Sequence, residues 1–188
     1  MDLSIVIPAY NEEKRILTTL GKTLEFLQQR SWSYELLAVD DGSADRTVAC
    51  IEEYAQDHPE VRCVQNGRNR GKGFSVRHGI QEAQGKYIGF MDGDYKTDIA
   101  GLDDVMPLLE KGRDGVIGDR TLGATEFVVA RKAYREWGSK VFRSLLRMLM
   151  GLQGFGDTQC GFKFFQVEVV RDLFARQKVD GFMFDVEI

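Results

Sequence analysis

Cysteine is scarce: Cys50, Cys63 and Cys160 are an odd number in 188 residues and form no C-x-x-C pair, which excludes a disulfide framework and a structural zinc site. A reducing cytoplasm suits such a chain. No apolar run approaches the roughly 20 residues a membrane span needs. The start, Met1 to Pro8, has no basic flank ahead of its short apolar stretch and does not read as a secretion signal. Contact with a membrane would therefore be made from its surface. The two histidines, His58 and His78, stand apart and no serine has a triad partner, so nucleophilic hydrolysis finds no support. A G-x-x-x-x-G-K-[ST] loop is missing, which argues against a P-loop NTPase. The run Gly71-Lys72-Gly73-Phe74-Ser75-Val76 lacks the third glycine of a dinucleotide fingerprint and comes after the third apolar run instead of the first, which excludes a nicotinamide enzyme. Repeats, low-complexity tracts and linkers are absent, so residues 1–188 are expected to form a single catalytic domain. Because Phe184 to Ile188 ends without a polar tail, a continuation beyond it is expected.

What is present is the composition of a soluble globular domain, 43% hydrophobic and 29% charged. Leu3 to Ile7, ended by Pro8, reads as a buried strand, and residues from about Glu12 to Gln29 place Ile16, Leu20, Leu24 and Leu27 on one helical stripe. Tyr34 to Val39 is a second strand, closed by Asp40-Asp41-Gly42-Ser43, where Ser43 can cap the next helix. Val61 to Gln65 and Tyr87 to Met91 are the third and fourth strands, each preceded by a helical pattern. Asp114 to Gly118 is a fifth, and Tyr134 to Leu152 reads as a helix with Lys140, Arg143 and Arg147 on one side. Strand and helix alternating over short connections predict an α/β fold, a parallel sheet with helices on both faces. Ligands of such sheets sit beyond the carboxyl ends of the strands. Three polar sequences fall there: Pro8 to Glu12, Asp40 to Ser43, and Asp92-Gly93-Asp94.

The formal net charge is −4, yet residues 61–90 and 128–150 each carry six bases against one acid. This pattern implies local sites for phosphate groups and not uniform nucleic-acid affinity. Asp92 and Asp94, two apart after a strand, project to one side and repel unless a cation neutralises them, so Mg²⁺ or Mn²⁺ is the natural partner. Asp40 and Asp41 suit a nucleobase or ribose. Pro8, Tyr10, Asn11 and Glu12 offer a rigid turn, an aromatic surface and acceptors for the same groups. Arg68 to Gly73 gathers cations and glycines at a helix N-terminus, where a diphosphate would fit.

In this order, Ser4 to Glu12, Val39 to Ser43, Asn69-Arg70-Gly71-Lys72-Gly73 and Asp92-Gly93-Asp94 resemble the nucleotide-sugar glycosyltransferases of family 2, whose fold is GT-A. Gly118-Asp119-Arg120, Arg135 to Ser139, Asp157 to Lys163 and Phe182 to Glu187 resemble the branch that loads hexose onto polyprenyl phosphates, the dolichyl-phosphate β-glucosyltransferases most of all.

The resemblance implies that Pro8, Tyr10, Glu12 and Asp40 or Asp41 hold the nucleotide of a UDP- or GDP-hexose, with Lys72 near its base or phosphates. Asp92 and Asp94 would bind metal and donor, and Arg120, Arg135 and Ser139, with Arg131 as substitute, the acceptor phosphate. The family pattern is departed from at Gly93 for alanine, Asp119 for serine and Lys96 for glutamine. Lys96 would bring an ammonium near Asp94 that partly substitutes for a cation. The expected activity is inverting transfer of a hexose, from UDP-glucose, to a polyprenyl phosphate at the cytoplasmic membrane face. A hydroxyl acceptor is the alternative, requiring a carboxylate base such as Asp157 or Glu187; a non-catalytic nucleotide-sugar binder is another. A homo-oligomer stays open.

Overall fold

The computed structural model describes residues 1–94, 97–119 and 160–188. Lys96, Arg120, Arg131, Arg135, Ser139, Asp157 and the helix expected over 134–152 lie outside them. Backbone packing separates residues 1–117 with 161–188 from residues 118–160, and the sheet with its helices belongs to the first unit.

Its elements run β1 (Leu3–Ala9), α1 (Ile16–Leu27), β2 (Tyr34–Asp40), α2 (Thr47–Asp57), β3 (Val61–Gln65), α3 (Lys72–Glu82), β4 (Tyr87–Met91), a 3₁₀ turn (Ile99–Gly101), α4 (Leu102–Glu110), β5 (Gly115–Ile117), β6 (Phe162–Gln166), α5 (Val167–Arg176) and α6 (Phe184–Glu187). The six strands form one sheet in the order β3-β2-β1-β4-β6-β5. Strands β1 to β4 are mutually parallel, as the apolar runs predict, whereas β6 runs antiparallel to both β4 and β5. The sheet is thus mostly parallel with one reversed strand, which periodicity did not identify.

Alternation along the strands divides the core into two layers. Val6, Leu37, Val39, Ile88, Phe90 and Phe165 face α3, α5 and α6. Phe90 packs edge-on to Phe174 of α5, with ring centroids 6.2 Å apart, and lies 5.5 Å from the ring of Phe184. The intervening residues face α1 and α4; Arg30, just past the end of α1, pairs with Asp103 of α4 at 2.6 Å. On this side Thr23 of α1 meets the sulfur of Met91. The side chain of Phe164 fills the space above Gly89, where an added Cβ would stand 2.0 Å from the ring. Phe164 is fully buried and cannot yield outward, so Gly89→Ala is expected to cost about 1–3 kcal/mol through overpacking. Thermal denaturation followed by circular dichroism checks this, as a midpoint lowered by roughly 3–10 °C.

Two local expectations are corrected. Pro8 lies within β1 instead of ending it: pairing to β4 stops at Val6, while pairing to β2 continues to Ala9. A residue without an N–H is tolerated where one side of the strand has no ladder partner. Ser43 caps no helix; α2 starts at Thr47, and Ser43 Oγ accepts the Asn11 N–H at 2.9 Å. The N-cap is Arg46, which makes no side-chain cap bond, and Asp45 just before it accepts from Thr47 N at 3.0 Å through Oδ1. Cys50 and Cys63 are free thiols, and Cys160 is buried. No helix among the described residues is long and apolar enough to cross a membrane.

Candidate functional site

Parallel pairing brings the carboxyl ends of β1, β2 and β4 to one rim, with β1 between the other two. The rim opens into a cavity of about 330 Å³. Pro8, Tyr10, Glu12, Asp41 and Lys72 line it as the sequence suggested, together with Asp92 and Asp94. Asn11 and Asp40 are not in its wall.

These two have other work. Asn11 sits at φ 53, a left-handed conformation that asparagine tolerates. Its Oδ1 accepts from Ala44 N, tying the loop after β1 to the loop after β2. Thr47 Oγ1, accepting from Glu12 N at 2.8 Å, adds a second tie. Asp40 is buried and folds back on its own loop, accepting from Gly42 N and Ser43 N. Asp41 reaches across instead. Its Oδ1 accepts from Arg70 N at 2.8 Å and Asn66 Nδ2 at 2.9 Å, and its Oδ2 from Gly71 N at 2.9 Å. Of the adjacent acids, Asp41 therefore organises the cationic loop and borders the cavity, while Asp40 shapes the turn behind it.

That loop delivers Lys72 as the first residue of α3. Gly71 precedes it at φ 100, where a Cβ would stand 2.4 Å from the carbonyl oxygen of Asp180. Only glycine fits there. The Lys72 Nζ lies 2.7 Å from Asp92 Oδ1 and 3.4 Å from Asp185 Oδ2. Burial alone would lower the pKa of this ammonium, but attraction and hydrogen bonding from Asp92 and Asp185 outweigh it, leaving it above the ordinary lysine value. The side chain is therefore cationic throughout the physiological range.

Three contributors went unassigned in the sequence. Reversal of β6 brings its leading end to the rim, where Met91 pairs with Phe162 and the Asp92 N–H donates to the Gly161 carbonyl at 3.0 Å. The carboxylate of Asp92 then lies against Gly161, where an added Cβ would stand 2.2 Å from Oδ1 and 2.4 Å from Oδ2. Lys163 is 1% exposed; its Nζ donates to the Asp185 carbonyl at 2.8 Å and lies 3.2 Å from Asp185 Oδ1. Burial of Phe184 in the core places Asp185 there. The available signal was a lysine inside Phe162-Lys163-Phe164-Phe165, since a charge in a buried strand demands a partner. Glu187, a suggested base, has both carboxylate oxygens holding the backbone N–H groups of Lys178 and Val179.

Among the described residues no cluster of three or more His, Cys, Asp and Glu side chains is placed to hold a metal. Asp92 and Asp94 both border the cavity, and paired carboxylates are the donor chemistry that a hard dication takes alongside phosphate oxygens and water. The contact of Asp92 with the Lys72 ammonium shows that its carboxylate is disposed to receive a cation.

Known proteins resemble this chain in sequence and in fold. The profile of Glycosyl transferase family 2 matches residues 4–174. The chain is 34% identical over 201 residues to the dolichyl-phosphate beta-glucosyltransferase of Dictyostelium discoideum, with 99% of this chain and 60% of that protein covered. It is 34% identical over 200 residues to the Homo sapiens protein of the same name, covering 99% and 61%. The chain thus spans about three fifths of these relatives. Among solved structures, glucosyl-3-phosphoglycerate synthase from Mycobacterium tuberculosis with Mn²⁺, UDP-glucose and phosphoglyceric acid superposes with a TM-score of 0.70 at 21% identity, covering 98% of this chain and 62% of that one. TarS 1–349 of S. aureus with UDP-GlcNAc gives 0.62 at 20% identity, covering 100% and 53%. The shared fold is GT-A.

Proposed function

The chain belongs to glycosyl transferase family 2, and on that premise we propose that the protein moves glucose from UDP-glucose to a polyprenyl phosphate, inverting the anomeric centre. Residues 1–188 act as one catalytic domain, working peripherally at the cytoplasmic face of a membrane. The observation that carries the reading is the meeting of Lys72, Asp92 and Asp94 in one cavity at the carboxyl ends of the parallel strands. The names of the relatives support the choice of sugar and acceptor.

Pro8, Tyr10, Glu12 and Asp41 receive the nucleoside, with Asn11 and Asp40 holding their loops in shape. Lys72 faces the diphosphate, where its fixed positive charge favours the anion before and after bond cleavage. Asp92 and Asp94 would hold Mg²⁺ or Mn²⁺, which when bound supplies Lewis-acid stabilisation of charge on the departing diphosphate. Arg120 and Arg135, with Arg131 and Ser139 beside them in sequence, orient the acceptor phosphate. One of its oxygens bonds to the anomeric carbon as the bond to the UDP oxygen breaks, and the electron pair leaves with UDP. An acceptor phosphate is already anionic at neutral pH, so Asp157 is required as a base only with a hydroxyl acceptor.

The test incubates the full-length protein and radiolabelled UDP-glucose with polyprenyl phosphate or the corresponding unphosphorylated prenol, with Mn²⁺ and with EDTA. Lipid-linked glucose is expected from the phosphate alone, falling at least roughly tenfold with EDTA. Transfer to the prenol, or nucleotide-sugar binding without turnover, would overturn the proposal.

A further inference from the structure

Lys96, the ammonium the sequence placed near Asp94, lies outside the described residues, and a different lysine stands against Asp92. Lys72, at the start of α3, reaches Asp92, and its Nζ is 2.7 Å from Oδ1. The side chains of Lys72 and Asp92 are only 15% and 29% exposed, so water screens this pair less than a surface pair. Behind them, Asp185 is 5% exposed and shared between Lys72 and the buried Lys163. The order Lys163, Asp185, Lys72, Asp92 alternates in sign from the core out to the cavity.

This alternation has a directional consequence. Lys163 is held by the Asp185 backbone carbonyl as well as by its carboxylate, and so is fixed. Lys72 instead has two separate acids, one in the interior at 3.4 Å and one on the cavity wall at 2.7 Å. If it leaves Asp92, Asp185 still retains it. An incoming diphosphate presents oxygens that can replace Asp92 as its partner, whereas a metal ion arriving alone presents only like charge.

We propose that Lys72 is the resident countercation of Asp92 in the donor-free enzyme, and that the donor's diphosphate draws it away, so that metal entry is conditional on nucleotide. The inference rests on the reading of Asp92 and Asp94 as metal ligands. It makes Lys72 a donor-binding residue whose departure from Asp92 completes the site. Metal and nucleotide then strengthen each other's binding by the same factor, as linkage requires.

The experiment titrates the full-length protein with Mn²⁺ alone and with Mn²⁺ in saturating UDP, following free Mn²⁺ by electron paramagnetic resonance. Wild type is expected to bind Mn²⁺ weakly alone and at least roughly tenfold more tightly with UDP. In Lys72→Met, affinity for Mn²⁺ alone rises about tenfold or more, the scale of removing one adjacent positive charge. Its enhancement by UDP shrinks, and its affinity for UDP alone falls. Lys72→Arg keeps the charge and behaves as wild type toward Mn²⁺ alone. Gain of metal affinity is a readout that mere damage to the fold would not produce. Lys72→Gln gives the same comparison should the methionine variant fail to fold. If wild type binds Mn²⁺ with UDP and neither uncharged variant binds Mn²⁺ alone more tightly, the exchange is refuted while the metal reading stands. If wild type binds no Mn²⁺ with or without UDP, the metal reading fails and the exchange fails with it.

Discussion

Asp92→Asn is expected to lower kcat/KM for UDP-glucose by roughly a thousandfold, about 4 kcal/mol of transition-state stabilisation, if the proposed function holds. The amide keeps the shape of the carboxylate, so the loss is electrostatic. On the proposed function it removes a ligand for the dication, and with it goes a neighbour that helps keep Lys72 charged. Lys72 retains Asp185, so no unpaired ammonium is left in the interior. The thermal midpoint is therefore expected to move by only about 2 °C, the size of a partly exposed ion pair. Steady-state kinetics alongside a melting curve separates the two effects. Asp98→Asn is the control: that exposed carboxylate accepts from Ala100 N in the 3₁₀ turn and lies outside the cavity wall. Less than about a twofold change in kcat/KM is expected for it, since surface substitutions of this kind are small. Equal losses in the two variants would refute the role of Asp92.

Gly161→Ala is the second large effect, and it acts without removing any charge. A methyl group there would overlap the Asp92 carboxylate, 2.2 Å from Oδ1 and 2.3 Å from Cγ. The backbone cannot easily retreat, because the Asp92 N–H is bonded to the Gly161 carbonyl and Phe162 pairs with Met91 beside it. The carboxylate must rotate instead, away from Lys72 and from the cavity. A displacement of this size costs on the order of a hundredfold in kcat/KM, and Mn²⁺ binding in the presence of UDP falls with it. Stability declines by about 1–3 kcal/mol as for other overpacked positions. A fully active Gly161→Ala protein would show that the carboxylate needs no such cradle.

How much of this was readable beforehand depends on the range over which each feature is decided. β3 and β4 coincide with their apolar runs, and β1 and β2 differ from theirs only at the ends, because buried parallel strands announce themselves locally. The polar residues after β1, β2 and β4 marked the rim for the same reason. β6 was hidden: its pairing depends on β4, more than 70 positions earlier in the chain, and Lys163 interrupts its apolar pattern. The division of labour between Asp40 and Asp41 was equally invisible, since adjacent acids are told apart only by which loop supplies their donors. Lys72 was seen as a phosphate ligand but not as the partner of Asp92, a relation created by the packing of α3 beside β4. The cradle at Gly161 rests on the close approach of two strand ends, which no spacing encodes.

The reversed strand also bears on how such a protein can diversify. Ile117 of β5 is in register with Lys163 of β6, so the chain leaves the sheet and re-enters it through neighbouring ladder positions. That clasp separates the tolerances of the two parts. Adding residues between these points leaves the β5–β6 register as it stands, and closing a longer excursion costs little more than closing a shorter one. Shifting β6 by a single residue would instead turn Lys163 and Phe165 to the opposite face and withdraw Gly161 from beneath Asp92. Drift in length is thus cheap on one side of the clasp and prohibitive on the other.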